Sequence, residues 1–159
     1  MSDELLKVLI IITALGAGLV AGIFFAFSSF VMKALGRIPP AQGITAMQSI
    51  NIVVINIWFM TAFFGTAVTC VILVVISLLN WHYPGTVFLL VGSALYLFGT
   101  IMVTIACNVP RNNALAAIEP NSDDGAQMWG SYLKSWTIWN HVRTAAAFMA
   151  AMLFIIALL

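Results

Sequence analysis

The chain has 159 residues, 63% of them hydrophobic and only 7% charged, with a formal net charge of +1 and a mean hydropathy of +1.10. Residues 38–110 contain no Asp, Glu, Lys or Arg, a pattern that a water-exposed surface does not allow, so a soluble globular domain is excluded. The near-neutral charge and the absence of any Lys/Arg cluster also exclude a nucleic-acid partner. The apolar runs are continuous rather than alternating, so the spanning elements read as helices and not as barrel strands. The expected architecture is therefore all-α, a four-transmembrane-helix bundle in one domain covering 1–159.

The first span is expected over about residues 5–32. Asp3 and Glu4 outweigh Lys7 ahead of it, the reverse of the basic start of a cleaved signal peptide, so the span is read as retained. Lys33 and Arg37 end it, and Pro39-Pro40 cannot continue the helix. The second span is expected over 49–79. It is followed by a tight turn, Asn80-Trp81-His82-Tyr83-Pro84-Gly85, with interfacial aromatics. The third is expected over 86–108 and closed by Pro110. A long polar loop is expected over 109–130, holding Glu119, Asp123 and Asp124, and the fourth span over 131–159.

Four spans place both termini on one side of the membrane. That side carries Lys7, whereas the other carries Lys33, Arg37, Arg111 and Lys134. The positive-inside rule then puts both termini on the non-cytoplasmic face. Ala14, Gly18, Gly22 and Ala26 recur every four residues and predict a close-packing ridge, within the bundle or between copies in a homo-oligomer. Gly92 and Gly99 offer a weaker version on the third span.

All five acidic residues lie at the N-terminus or in the polar loop. With no carboxylate in any span, a proton-coupled transporter and a di-iron carboxylate bundle lack their required groups. The only histidines, His82 and His141, fall at opposite ends of the expected fold, which leaves no zinc or copper cage and no predicted metal ligands. Cys70 and Cys107 sit in different spans outside any CxxC pattern and read as small buried hydrophobes.

The polar residues instead gather at the end that carries the long loops. Gln48 and Asn51 share a face at the start of span two, and Asn108 and Asn112 are four apart at the end of span three. Trp136, Asn140 and Arg143 are spaced by four and three and line one face of span four. Trp139 and Arg143 are also four apart, a spacing that allows a cation–π contact. Residues 144–159 supply about 24 Å of helix at roughly 1.5 Å each, short of a roughly 30 Å hydrocarbon core. Arg143 therefore lies at shallow depth inside the apolar zone, with no acid in any span to pair with it. A buried unpaired cation is costly, so backbone carbonyls, a lipid phosphate, a loop acid or an anionic ligand must compensate it. Plainer readings stand beside this one. Tryptophans favour the interface, Asn and Gln serve as interhelical glue, and a lone His is as often structural as catalytic.

Four segments carry a family resemblance: Gly22-Ile-Phe-Phe-Ala-Phe-Ser-Ser-Phe-Val-Met32, Met47-Gln-Ser-Ile-Asn51, Asn108-Val-Pro-Arg-Asn-Asn113 and Trp136-Thr-Ile-Trp-Asn-His-Val-Arg-Thr144. In this order, and over almost the whole chain, they resemble the anthrone-oxygenase-like family of small four-helix membrane proteins, many of them bacterial. The resemblance implies residence in a bacterial inner membrane. It also implies oxidation of an apolar aromatic, anthrone- or quinol-like substrate with O2 as co-substrate and without flavin or haem. No cofactor is expected, although haem or a metal stays open with no motif for either. On this reading His141 is the base and Arg143 the oxyanion partner, while Gln48, Asn51, Asn108, Asn112, Trp136, Trp139 and Asn140 line the substrate site. The alternative is a non-enzymatic bundle that binds lipid or serves as an assembly subunit.

Overall fold

The computed structural model describes residues 3–159. They form five helices and no strand: α1 (Asp3–Leu35), α2 (Pro40–Val53), α3 (Ile57–Leu79), α4 (Thr86–Ala116) and α5 (Asp123–Ile156). All but α2 are long and apolar enough to cross a membrane, and the chain is an integral membrane protein. The four long helices close a ring in which α1 and α4 each pack against both α3 and α5. The core runs through Ile10, Ala17, Val20 and Phe24 of α1, Phe63 and Leu73 of α3, Tyr96 of α4, and Ala147, Ala150 and Phe154 of α5. Large apolar side chains such as Leu15, Leu19, Val68 and Phe98 point outward, the inside-out surface that lipid requires.

The seam of closest approach differs from the ridge expected on the first span. Ala14 is buried, but Gly18 and Gly22 are exposed, and a Cβ at either would meet nothing within 4 Å. The tight contacts fall at Gly16 of α1, where a Cβ would run into the Thr66 side chain of α3, and on α4, the position the sequence marked more weakly. A Cβ at Gly92 would lie 2.9 Å from the Phe154 ring, and one at Gly99 would lie 2.5 Å from the Ala146 Cβ. Alanine on α5 opposite glycine on α4 brings the two backbones together, as helix association in lipid demands.

Three boundaries differ from expectation, each for a local reason. The second span does not begin at residue 49. The chain breaks at 54–56, where Asn56 turns extended and caps α3, its Oδ1 accepting from the N–H groups of Trp58 and Phe59 at 3.1 Å each. This cap satisfies donors that a helix start leaves orphaned. Residues 40–53 become α2, a separate helix packed on α4 and α5. The third span does not stop at Asn108, because the helix passes through Pro110 to Ala116. A proline in a helix lacks its N–H and its ring presses on the carbonyl four residues back. Here residues 104–108 are already in π register, with the Val109 N–H bonded to Thr104 O, five back. Arg111 Nη1 also donates to Cys107 O. Finally, the polar loop of 109–130 shrinks to the turn at 117–122. Ser122 caps α5, its Oγ accepting from the Gly125 N–H at 3.0 Å.

Candidate functional site

Two features of α1 and α4 supply the site's polar floor. In α1, residues 27–31 form a π turn, with the Met32 N–H bonded to Phe27 O, five residues back. Such turns break the α ladder and recur at functional sites. Around this one, backbone carbonyls take side-chain donors. Phe25 O accepts from Ser29 Oγ at 2.7 Å, and Phe24 O accepts from Asn140 Nδ2 at 2.7 Å. The π register of α4 likewise presents Thr104 and Asn108 toward α5.

Arg143 lies at the centre and is only 4% exposed. Its Nη2 donates to Asn140 Oδ1 at 2.7 Å and its Nη1 to Thr104 Oγ1 at 3.2 Å. The guanidinium sits 4.2 Å from the Phe24 ring centre and 5.1 Å from that of Trp136, and so is held by aromatic faces on two helices. It has no carboxylate: among the described residues the only ion pair is Lys7 with Glu4, an exposed pair elsewhere on the chain. Arg143 Nε and Asn108 Oδ1 are buried with no hydrogen-bond partner.

From the guanidinium a chain of donors runs outward. Arg143 donates to Asn140 Oδ1, and Asn140 Nδ2 donates to Ser28 Oγ at 2.7 Å. Ser28 Oγ lies 3.0 Å from Thr144 Oγ1, whose own hydrogen goes to Asn140 O at 2.8 Å, so Ser28 is the donor of that pair. Successive donors of one direction polarise each other, most strongly where the dielectric is low. The chain ends at a groove of about 530 Å³ between α1 and α5, lined by Ser28, Met32, Lys33, Arg37, Lys134 and His141 among others. Ser28 is thus shared by the inner network and the groove. Turned from Thr144 toward the groove, its hydroxyl can be offered to an oxyanion, with a full positive charge two hydrogen bonds behind it.

The sequence-predicted residues divide into three places. Trp136, Asn140 and Arg143 are all buried on one face of α5, with Asn108 beside them donating from Nδ2 to Trp136 O at 3.3 Å. His141 is exposed and faces the groove, on the opposite side of α5 from Arg143. The two are neighbours in sequence but not in one pocket. Trp139 does not meet Arg143 either; its ring lies 6.0 Å from the Arg111 guanidinium. A residue seven positions away lies nearly beneath Arg143 two turns back, which is why Trp136 takes the cation.

The remaining amides hold the bundle's end together and lie away from the groove. Asn112 Oδ1 accepts from Trp136 Nε1 at 2.8 Å and from the Tyr132 hydroxyl at 2.9 Å, fixing the Trp136 ring beside the guanidinium. Gln48 Nε2 donates to Leu115 O at 2.9 Å and Ile118 O at 3.1 Å, tying α2 to the last turn of α4 and to the turn that follows it. Asn51 stands beside the Tyr132 hydroxyl with its Nδ2 buried and unpartnered. Sequence reasoning missed Ser28 and Thr104 as participants. The available signal was a serine within an apolar run, four residues from Phe24 and so on the same helical face.

Among the described residues no three of His, Cys, Asp and Glu converge as a metal-ligand set. Compared with known proteins, residues 58–153 match the model of a family described as anthrone oxygenase. The match covers α3, α4 and most of α5, and with them Asn108, Asn112, Trp136, Asn140, His141 and Arg143. No curated protein and no solved structure matches the chain.

Proposed function

From the premise that this chain belongs to the anthrone oxygenase family, we propose that it is a membrane-embedded oxygenase. Its substrate is an apolar aromatic bearing a ring oxygen, anthrone- or quinol-like, with O2 as co-substrate and no organic cofactor. The observation that carries this reading is the donor chain from the acid-free Arg143 through Asn140 to Ser28 in the groove. The substrate enters from the bilayer and places its oxygen at Ser28. His141, from the other wall of the groove, takes the benzylic proton, the task for which imidazole is the available side chain near neutral pH. Negative charge then grows on the ring oxygen, and the Ser28 hydroxyl turns from Thr144 to meet it, strengthened by the cation behind. Preorganised donors of this kind are the largest single source of stabilisation for a developing oxyanion. The resulting electron-rich ring reacts with O2. For anthrone the balance is one O2 consumed, and one anthraquinone and one water formed.

The proposal also places the groove end of the bundle in the cytoplasm, since Lys33, Arg37, Arg111 and Lys134 lie there. The outward-facing Gly18 and Gly22 favour self-association of copies through α1, an arrangement that a non-enzymatic assembly subunit would share.

His141→Ala tests the chemistry. Turnover of anthrone, followed as quinone absorbance in detergent, is expected to fall about 10²-fold. The loss is expected to shrink as pH approaches the substrate's own ionisation, where no base is needed. A variant with wild-type turnover at neutral pH would remove His141 from the mechanism.

A further inference from the structure

The groove's mouth holds charge that the proposed reaction leaves unused. Lys33 lies in the last turn of α1, Arg37 in the turn just past it, and Lys134 lines the opposite wall from α5. No acidic side chain lines the groove, and none of the three cations forms an ion pair among the described residues. Topology alone asks only that loops on this side carry positive charge; it does not ask for three cations around one cavity. Glu119, Asp123 and Asp124 belong to the same end of the chain, yet they stay at the exposed turn and the start of α5. Cations left without partners at the mouth of a cleft set up a field for an anion.

The spacing limits what that anion belongs to. Along α1, Lys33 is five residues from Ser28, about 7 Å of helix axis, and Arg37 follows just past the helix end at Leu35. That reach suits a body of two or three fused aromatic rings. We infer that the substrate class is an aromatic acid: a flat apolar body in the groove, a ring oxygen at Ser28, and an anionic oxygen group at the far end held by Lys33, Arg37 and Lys134. This rests on the groove being the substrate's seat, as proposed above, and adds the charged end by which that substrate is chosen.

Binding, without turnover, tests it. The purified full chain in uncharged detergent is titrated with anthracene-2-carboxylate and with its neutral counterpart, 2-(hydroxymethyl)anthracene, by fluorescence. The carboxylate is expected to bind about tenfold more tightly, with an advantage that fades in high salt. Combining Lys33→Gln, Arg37→Gln and Lys134→Gln is expected to erase that preference while leaving neutral-probe affinity within about twofold, which also shows that the variant is folded. Equal affinity of wild type for the two probes would overturn the inference. So would a preference that survives the triple substitution. Phosphatidylglycerol separates the two sources of an anion: displacement of the carboxylate probe at low lipid mole fraction would assign the rim to lipid headgroups and overturn the aromatic acid. Because no oxygen chemistry is measured, the result stands apart from whether the chain oxidises anthrone.

Discussion

Arg143→Met is expected to lower turnover, by less than the roughly 10²- to 10³-fold cost of losing the oxyanion donor itself because Ser28 remains, while leaving the bundle as stable as before or more so. The two halves of this result follow from one arrangement. The guanidinium is buried against Phe24 and Trp136 with no acid to pair with it. A cation taken out of water without a counter-charge is destabilising, and replacing buried ionic groups by apolar ones of similar volume is often neutral or stabilising. Methionine fills most of the same space and keeps contact with both rings. It leaves Asn140 Oδ1 without its donor, a cost of about 1–3 kcal/mol that partly offsets the gain. Residues that disfavour the fold and persist at an oriented site are the mark of function drawn from stability. Thermal unfolding and turnover measured on the same preparation check this. A melting temperature that collapses together with activity would make Arg143 a structural brace.

Gly99→Leu is expected to prevent recovery of a folded bundle. A Cβ at Gly99 would already sit 2.5 Å from the Ala146 Cβ, with the Ala146 Cα at 3.9 Å. A leucine there must push α4 from α5 along the seam that also carries Gly92 against Phe154. Overpacking of a close-packed interior costs about 1–3 kcal/mol and more where backbone must move. The milder Gly99→Ala isolates the cause, since pairing it with Ala146→Gly returns the space on the other helix. The double variant is expected to recover most of the melting temperature lost by the single one. Failure of that rescue would mean that the two positions do not meet.

Much of this arrangement is legible from the residues. The uncharged run from 38 to 110 dictates helices in lipid, and the spacing of Trp136, Asn140 and Arg143 dictates one shared face, which the fold buries. What hides is whatever depends on departures from the regular helix. Nothing in Phe27–Val31 announces a π turn, so Ser28 shows only as a serine in an apolar run and its link to Asn140 is not legible in the sequence. Pro110 reads as a stop and is instead carried through by the π register of residues 104–108. Asn56 reads as a polar residue inside a span, although its side chain caps a new helix and detaches α2, and with it Gln48 and Asn51, from the site. His141 misleads differently. Adjacency in sequence suggests a pair with Arg143, but two steps along a helix turn a side chain by roughly 200°, so the imidazole reaches the groove while the guanidinium stays inside. The link between them is three-dimensional, through Asn140 and Ser28.

Oxygen transfer by this chain alone is measured by supplying purified protein with anthrone under isotopically heavy O2 and weighing the product. Oxygen uptake equal to quinone formed, one heavy atom in each quinone, and a rate well above that of anthrone in empty detergent are expected of an oxygenase. Uptake no faster than in that control, or a quinone whose new oxygen comes from water, would contradict that activity.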